Sequence, residues 1–202
     1  MTERTLPIVT AGLAVLLLAG CAEIQYPKYY ALNIVPPPQP AADAVRFPVT
    51  LTVRRFDTAD YIRQGRIVFR ESPVEVGFYD YHRWAVDPGT TITRAMTEAL
   101  RASRLFSLVV PDDGRERLAY VLSGRVERLD EVDYGGGVRV EARILAELVN
   151  RNTGETLWTG DASEISNIET PTVGSVVTAM SHAVGISIDR LVASMERQLS
   201  SP

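Results

Sequence analysis

The chain has 202 residues, 46% of them hydrophobic, and carries 21 basic against 25 acidic side chains for a net charge of −4. That balance speaks against nucleic acid and against an electrostatic grip on anionic lipid, because both need a concentrated basic patch and the only lysine is Lys28. A single cysteine, Cys21, rules out an intrachain disulfide, and two histidines, His82 and His182, are too few for a Cys/His metal cluster.

In chain order, the first feature is an apolar run from Ile8 to Leu18 behind Arg4, closed by Ala19-Gly20-Cys21. A basic start, an apolar middle and small residues before a cut mark a secretory signal. Leu18-Ala19-Gly20-Cys21 reads further as a bacterial lipobox, the competing reading being an ordinary signal with an incidental cysteine. The run is too short to span a bilayer, which takes about 20 apolar residues as a helix, and Thr10 and Gly12 interrupt it. On the lipobox reading residues 1–20 are removed, Cys21 is the lipidation site, residues 21–28 are a tether and residues 29–200 form one domain. About 180 residues suffice for one core. Each buried methylene adds roughly 0.8 kcal/mol and one chain holds only marginally, so a stable anchor needs two or three acyl chains on Cys21. The segment Ala22 to Lys28 reaches roughly 25 Å when extended, which keeps the folded body close to its membrane.

Tyr29 to Ile34 reads as a first strand, and Pro36-Pro37-Pro38-Gln39-Pro40 as a stiff extended connector that cannot pair inside a sheet. Val49, Leu51 and Val53 alternate with Thr50, Thr52 and Arg54, predicting a strand; Ile67 to Arg70 and Val74 to Tyr79 are two more, with Asp57 to Gln64 a loop or single helical turn. Asp87-Pro88 should open a helix to Ser103, Asp87 as N-cap and Pro88 at the first helical position, with Ile92, Met96, Ala99 and Leu100 on one face. Leu105 to Val110 returns to strand.

The second half reads as a three-strand meander. Its clearest member is Val138 to Leu148, where Val138, Val140, Ala142, Ile144, Ala146 and Leu148 point one way and Arg139, Glu141, Arg143 and Glu147 the other, with Leu145 as the exception. Tyr134-Gly135-Gly136-Gly137 joins it to a preceding strand, about Leu118 to Leu129, and Asn152-Thr153-Gly154 to a following one, Glu155 to Ser163. A long amphipathic helix, Thr172 to Leu199, closes the chain with Val177, Met180, Val184, Ile188, Leu191 and Met195 in three- and four-residue steps. The expected fold is α/β: an antiparallel or mixed β-sheet with the two main helices packed on one face as an α/β sandwich.

The residues offer little chemistry. There is no Gly-x-Ser-x-Gly elbow and no Gly-Lys-Ser/Thr phosphate loop, and no cofactor or metal is expected. Asp57, Asp60, Asp112, Asp113, Asp130, Glu131 and Asp133 leave a paired-carboxylate site open, but their scatter in turns points to solvated charge. His182 reads as a helix-surface residue and His82 as lying near a helix start. Trp84 and Trp158 read as core or interface anchors rather than ligand platforms.

Several short motifs in sequence order resemble the ABC-type transport auxiliary lipoprotein family, the group that includes PqiC. They are the lipobox, Tyr29-Tyr30-Ala31-Leu32, Asp60-Tyr61-Ile62 followed by Ile67-Val68-Phe69-Arg70, and Arg83-Trp84-Ala85 leading to Pro88, then the meander and closing helix. Tyr81-His82-Arg83-Trp84 departs from the pattern in lacking the asparagine-leucine pair some members place before the tryptophan. The resemblance implies a non-enzymatic outer-membrane lipoprotein on the periplasmic face. It would work with ABC transporter components and a mammalian-cell-entry-type substrate-binding protein to move phospholipid or other hydrophobic molecules between membranes. Ala22 fits outer-membrane sorting, since an aspartate there is the usual inner-membrane retention signal. A tubular partner would favour a homo-oligomeric ring. The alternative is a periplasmic lipid-binding carrier with an apolar pocket between the sheet and the C-terminal helix.

Overall fold

The structure is a computed structural model that describes residues 25–35, 45–114 and 117–200. Cys21 and the connector Pro36 to Pro40 lie outside the described residues. The elements run β1 (Lys28–Tyr30), β2 (Phe47–Val53), β3 (Asp57–Thr58), a 3-10 turn (Ile62–Gln64), β4 (Arg66–Arg70), β5 (Gly77–Trp84), α1 (Pro88–Ser103), β6 (Phe106–Pro111), β7 (Tyr120–Val132), β8 (Arg139–Asn150), β9 (Glu155–Asn167) and α2 (Val173–Leu199).

The strands form one mixed sheet with β7 as its spine. Along one edge β7 pairs antiparallel with β8 from Tyr120↔Asn150 to Val132↔Arg139, and β8 pairs antiparallel with β9. The other edge is shared end to end by three parallel segments: β2 with Leu51 opposite Tyr120, β3 with Asp57 opposite Arg125, and β4 with Phe69 opposite Glu131. Beyond β2 lies β6; beyond β4 lie β5 and then β1. Thirteen-residue β7 therefore carries two short sub-sheets side by side, which the expected sandwich left unspecified.

Burial explains the layers. The α2 stripe from Val177 through Met195 packs on β8 and β9, and Ile92, Met96, Ala99 and Leu100 of α1 are buried in the same core. Each large apolar side chain removed from water contributes about 1.5–3 kcal/mol. The α2 helix is long and apolar enough to cross a membrane by length and composition, but more than half of its most apolar window is buried in the protein. It is a core helix. The Asp87 carboxylate caps α1 by accepting from the Thr90 amide at 2.9 Å, and Thr172 and Ser175 form a reciprocal capping box on α2. Trp84 and Trp158 are both core residues; the Trp158 indole N–H donates to Ser194 Oγ at 3.3 Å.

Several boundaries differ from expectation for identifiable reasons. Leaving the ladder after Tyr30, the first strand buries Leu32 in the core and donates the Asn33 amide to Ser181 Oγ at 3.0 Å. The strand expected at Val74 begins only at Gly77, because Ser72 Oγ accepts from the Glu75 amide in a turn that leaves Val74 exposed. That strand runs to Trp84, so His82 is a strand residue and not one near a helix start. Within Asp57 to Gln64 the chain makes both β3 and the 3-10 turn. The meander strands β7 and β9 extend to Val132 and Asn167, since the hairpin ladders continue pairing to their ends.

Candidate functional site

The N-terminal segment is built into the fold rather than laid upon it. Lys28, Tyr29 and Tyr30 pair in parallel with His82, Arg83 and Trp84. The Ala85 amide donates to the Tyr30 carbonyl at 2.7 Å, and the Tyr30 hydroxyl lies 3.0 Å from His82 Nδ1. Leu32 and the Asn33–Ser181 bond then fasten the strap to α2. An open groove of about 430 Å³ flanks it, lined by Asn33, Val35, Ser181, His182 and Asp189 among others. His182 is on the helix surface, as expected; burial raises the Asp189 carboxyl above the usual aspartate range.

The carrier reading places an apolar pocket between the sheet and α2. That interface is filled by Trp158, Ile144, Leu148, Ile188, Leu191 and Met195, all nearly inaccessible. A second groove, of about 570 Å³, opens across the meander where Gly124, Ala146 and Gly160 lie in register. On the core side the Phe56 ring stands where a Cβ on Gly124 would go, and the Trp158 ring where one on Gly160 would go. Leu145, the exception in the alternation of β8, lines this groove with Arg125, Glu147 and Asp161.

Asp130 and Glu131 are the residues the sequence reading misplaced. They lie within β7, not in turns, and are 0% and 2% exposed, not solvated. Asp130 accepts from Arg70 Nε at 2.6 Å and Arg128 Nε at 3.4 Å. The Arg70 guanidinium lies 5.3 Å from the centre of the Tyr61 ring, whose hydroxyl donates to the Glu127 carbonyl at 2.9 Å. Burial, with the Asp130 charge behind it, pushes the Tyr61 phenol up to about 12. Glu131 instead accepts from the Tyr79 hydroxyl at 2.8 Å. Burial outweighs that bond and, with Asp133 adding to it, raises the Glu131 carboxyl above the usual glutamate range. Tyr79 stacks edge-on to Phe69 and His82, giving a ladder from Glu131 to Tyr30.

Successive strand residues point to opposite faces, so Asp130 and Glu131 do not face a common substrate as a catalytic pair would. Among the described residues no group of three His, Asp, Glu or Cys side chains converges to hold a metal ion. Tyr61 and Arg70, which appeared in sequence only as parts of short motifs, are the partners of Asp130. The available signal was an acidic pair flanked by Leu129 and Val132 inside a strand-like run.

Comparison with solved structures finds the same fold. Protein XCC0632 from Xanthomonas campestris, of family DUF330, superposes with a TM-score of 0.73 at 19% identity, covering 85% of this chain and 96% of that one. An uncharacterized protein matches at 0.65 and 14% identity, with 83% and 97% covered. The hypothetical protein CT253 from Chlamydia trachomatis matches at 0.53 and 7% identity, with 75% and 98% covered. Comparison with curated proteins by sequence yields no match. The family described as ABC-type transport auxiliary lipoprotein component matches residues 30–196, from Tyr30 of the strap almost to the end of α2. With so much of the folded body matched, the chain belongs to the ABC-type transport auxiliary lipoprotein family.

Proposed function

We propose that the chain is a non-catalytic docking subunit, anchored to the outer membrane through lipidated Cys21 and facing the periplasm. It would receive the ABC transporter and a mammalian-cell-entry-type substrate-binding protein, in a system that passes phospholipid or other hydrophobic molecules between membranes. Residues 1–20 are then the removed signal, 21–28 the tether and 29–200 the docking domain. Family membership supports an envelope lipoprotein associated with ABC transport. The observation that carries the docking role is the strap: β1 begins seven positions after Cys21 and is paired into the sheet, and Asn33 just beyond it is bonded to α2. A body held so close to its membrane, roughly 25 Å at most, receives a partner that crosses to it.

Affinity capture of the lipidated protein from detergent-solubilised membranes should recover a transporter or mammalian-cell-entry component. Repeated capture of neither would overturn the docking role. A ring of copies around a tubular partner completes the reading, and light scattering of the purified lipoprotein should show a closed oligomer; a monomer at all concentrations would remove the ring.

A further inference from the structure

The strap leaves an aromatic edge uncovered. Tyr26 is 76% exposed, Tyr29 65% and Tyr81 45%. All three belong to the few residues around β1 and its partner β5, and the chain's only lysine, Lys28, stands between the first two. Exposed tyrosine costs solubility without contributing to the core. Its amphipathic ring suits one environment especially, the boundary between acyl chains and headgroups, where the ring is apolar-shielded and the hydroxyl stays wet. A lysine beside it can lay its stem along the same boundary and keep its ammonium among the headgroups.

We infer that the β1–β5 edge, through Tyr26, Tyr29 and Tyr81, rests in the headgroup layer of the membrane that holds the chain. The inference rests on the lipid anchor at Cys21 proposed above, which fixes the occupant: only four residues separate Cys21 from Tyr26, so the bilayer is the surface this edge meets first. A covalent tether of that length also holds the edge at high effective concentration next to the lipid, so weak contacts suffice to orient the body. The sheet then points away from the membrane. Along β7, β4 and β5 attach near Glu131, whereas β2 and β6 attach near Tyr120, eleven residues earlier. At about 3.3 Å per residue this separates the two ends by roughly 35 Å. The exposed Leu108 of β6 thus belongs to the far end.

The test uses the full lipidated protein in phosphatidylethanolamine and phosphatidylglycerol vesicles doped with brominated phosphatidylcholine. Tyr29→Trp and Tyr81→Trp, substitutions at exposed positions, report beside the constant background of buried Trp84 and Trp158. Their added emission should be blue-shifted and quenched by the brominated lipid, and that of Leu108→Trp should be neither. Vesicle-bound protein in which Tyr29→Trp and Tyr81→Trp stay unquenched, or in which Leu108→Trp is quenched as strongly, would overturn the orientation while leaving the anchor intact. Protein that lacks acyl mass on Cys21 and fails to float with vesicles would overturn the anchor, and the orientation with it.

Discussion

Asp130 and Glu131 are neighbours in the chain with opposite solutions to burial. Asp130 sits in an ion pair with Arg70, and a buried carboxylate stripped of its cation is left uncompensated at low dielectric. Arg70→Ala should therefore cost about 3–5 kcal/mol, read as a fall in the urea midpoint. A loss under about 1 kcal/mol would mean that Arg128 alone satisfies the carboxylate. Glu131 has a phenol for its partner and no cation. Because its carboxyl is raised in the fold, the native state binds that proton more tightly than the unfolded chain does. Its favourable contribution is complete below the ordinary glutamate range and is lost as pH rises through the raised value. Glu131→Gln can still accept from Tyr79 without carrying charge. Unfolding titrations should show the variant more stable than the wild type at neutral pH, with the gap closing in acid; a variant less stable at neutral pH would refute this.

The sheet owes its local shape to pairs of ring and glycine. Gly160 is small because the Trp158 ring and Leu191 occupy its Cβ position, and Gly124 is small because of Phe56. Gly160→Ala should destabilise by about 1–3 kcal/mol through overpacking, measured by thermal unfolding. The meander turn imposes a different demand: Gly135, Gly136 and Gly137 all have positive φ, with open space around Gly136 and Gly137. There the constraint is backbone conformation, and Gly136→Ala is disfavoured by its dihedral rather than by contact. Alternation and turn residues made β8, its two hairpins and both helices legible in advance, since each is set by residues within a few positions. The β5 boundary was not, because Phe69 and a turn on Ser72 decide where pairing starts.

For the molecule as a whole, the proposed function puts the anchor and the strap in series. Cys21→Ser should release a folded protein from membranes, its unfolding transition unchanged and its fractionation soluble. Ser181→Ala should do the reverse, leaving attachment intact while removing the acceptor for the Asn33 amide, so that hydrogen exchange quickens across residues 28–35. Transport that persists at normal expression with Cys21→Ser would count against membrane-held docking, and unchanged exchange in Ser181→Ala would show that pairing with β5 alone secures the strap.

Local pattern was enough to determine the order of strands and helices, the apolar faces of α1 and α2, and the core role of Trp84 and Trp158. These depend on period, capping and turn chemistry, which act over short stretches of chain. Folding alone decided that one edge of β7 is divided among β2, β3 and β4, that Asp130 and Glu131 are buried, and that Tyr61 and Arg70 close on Asp130 from sixty or more positions away. Those outcomes follow from which segments meet in space. A carboxylate in a strand can face water or a guanidinium, and only the chain packed against it settles which.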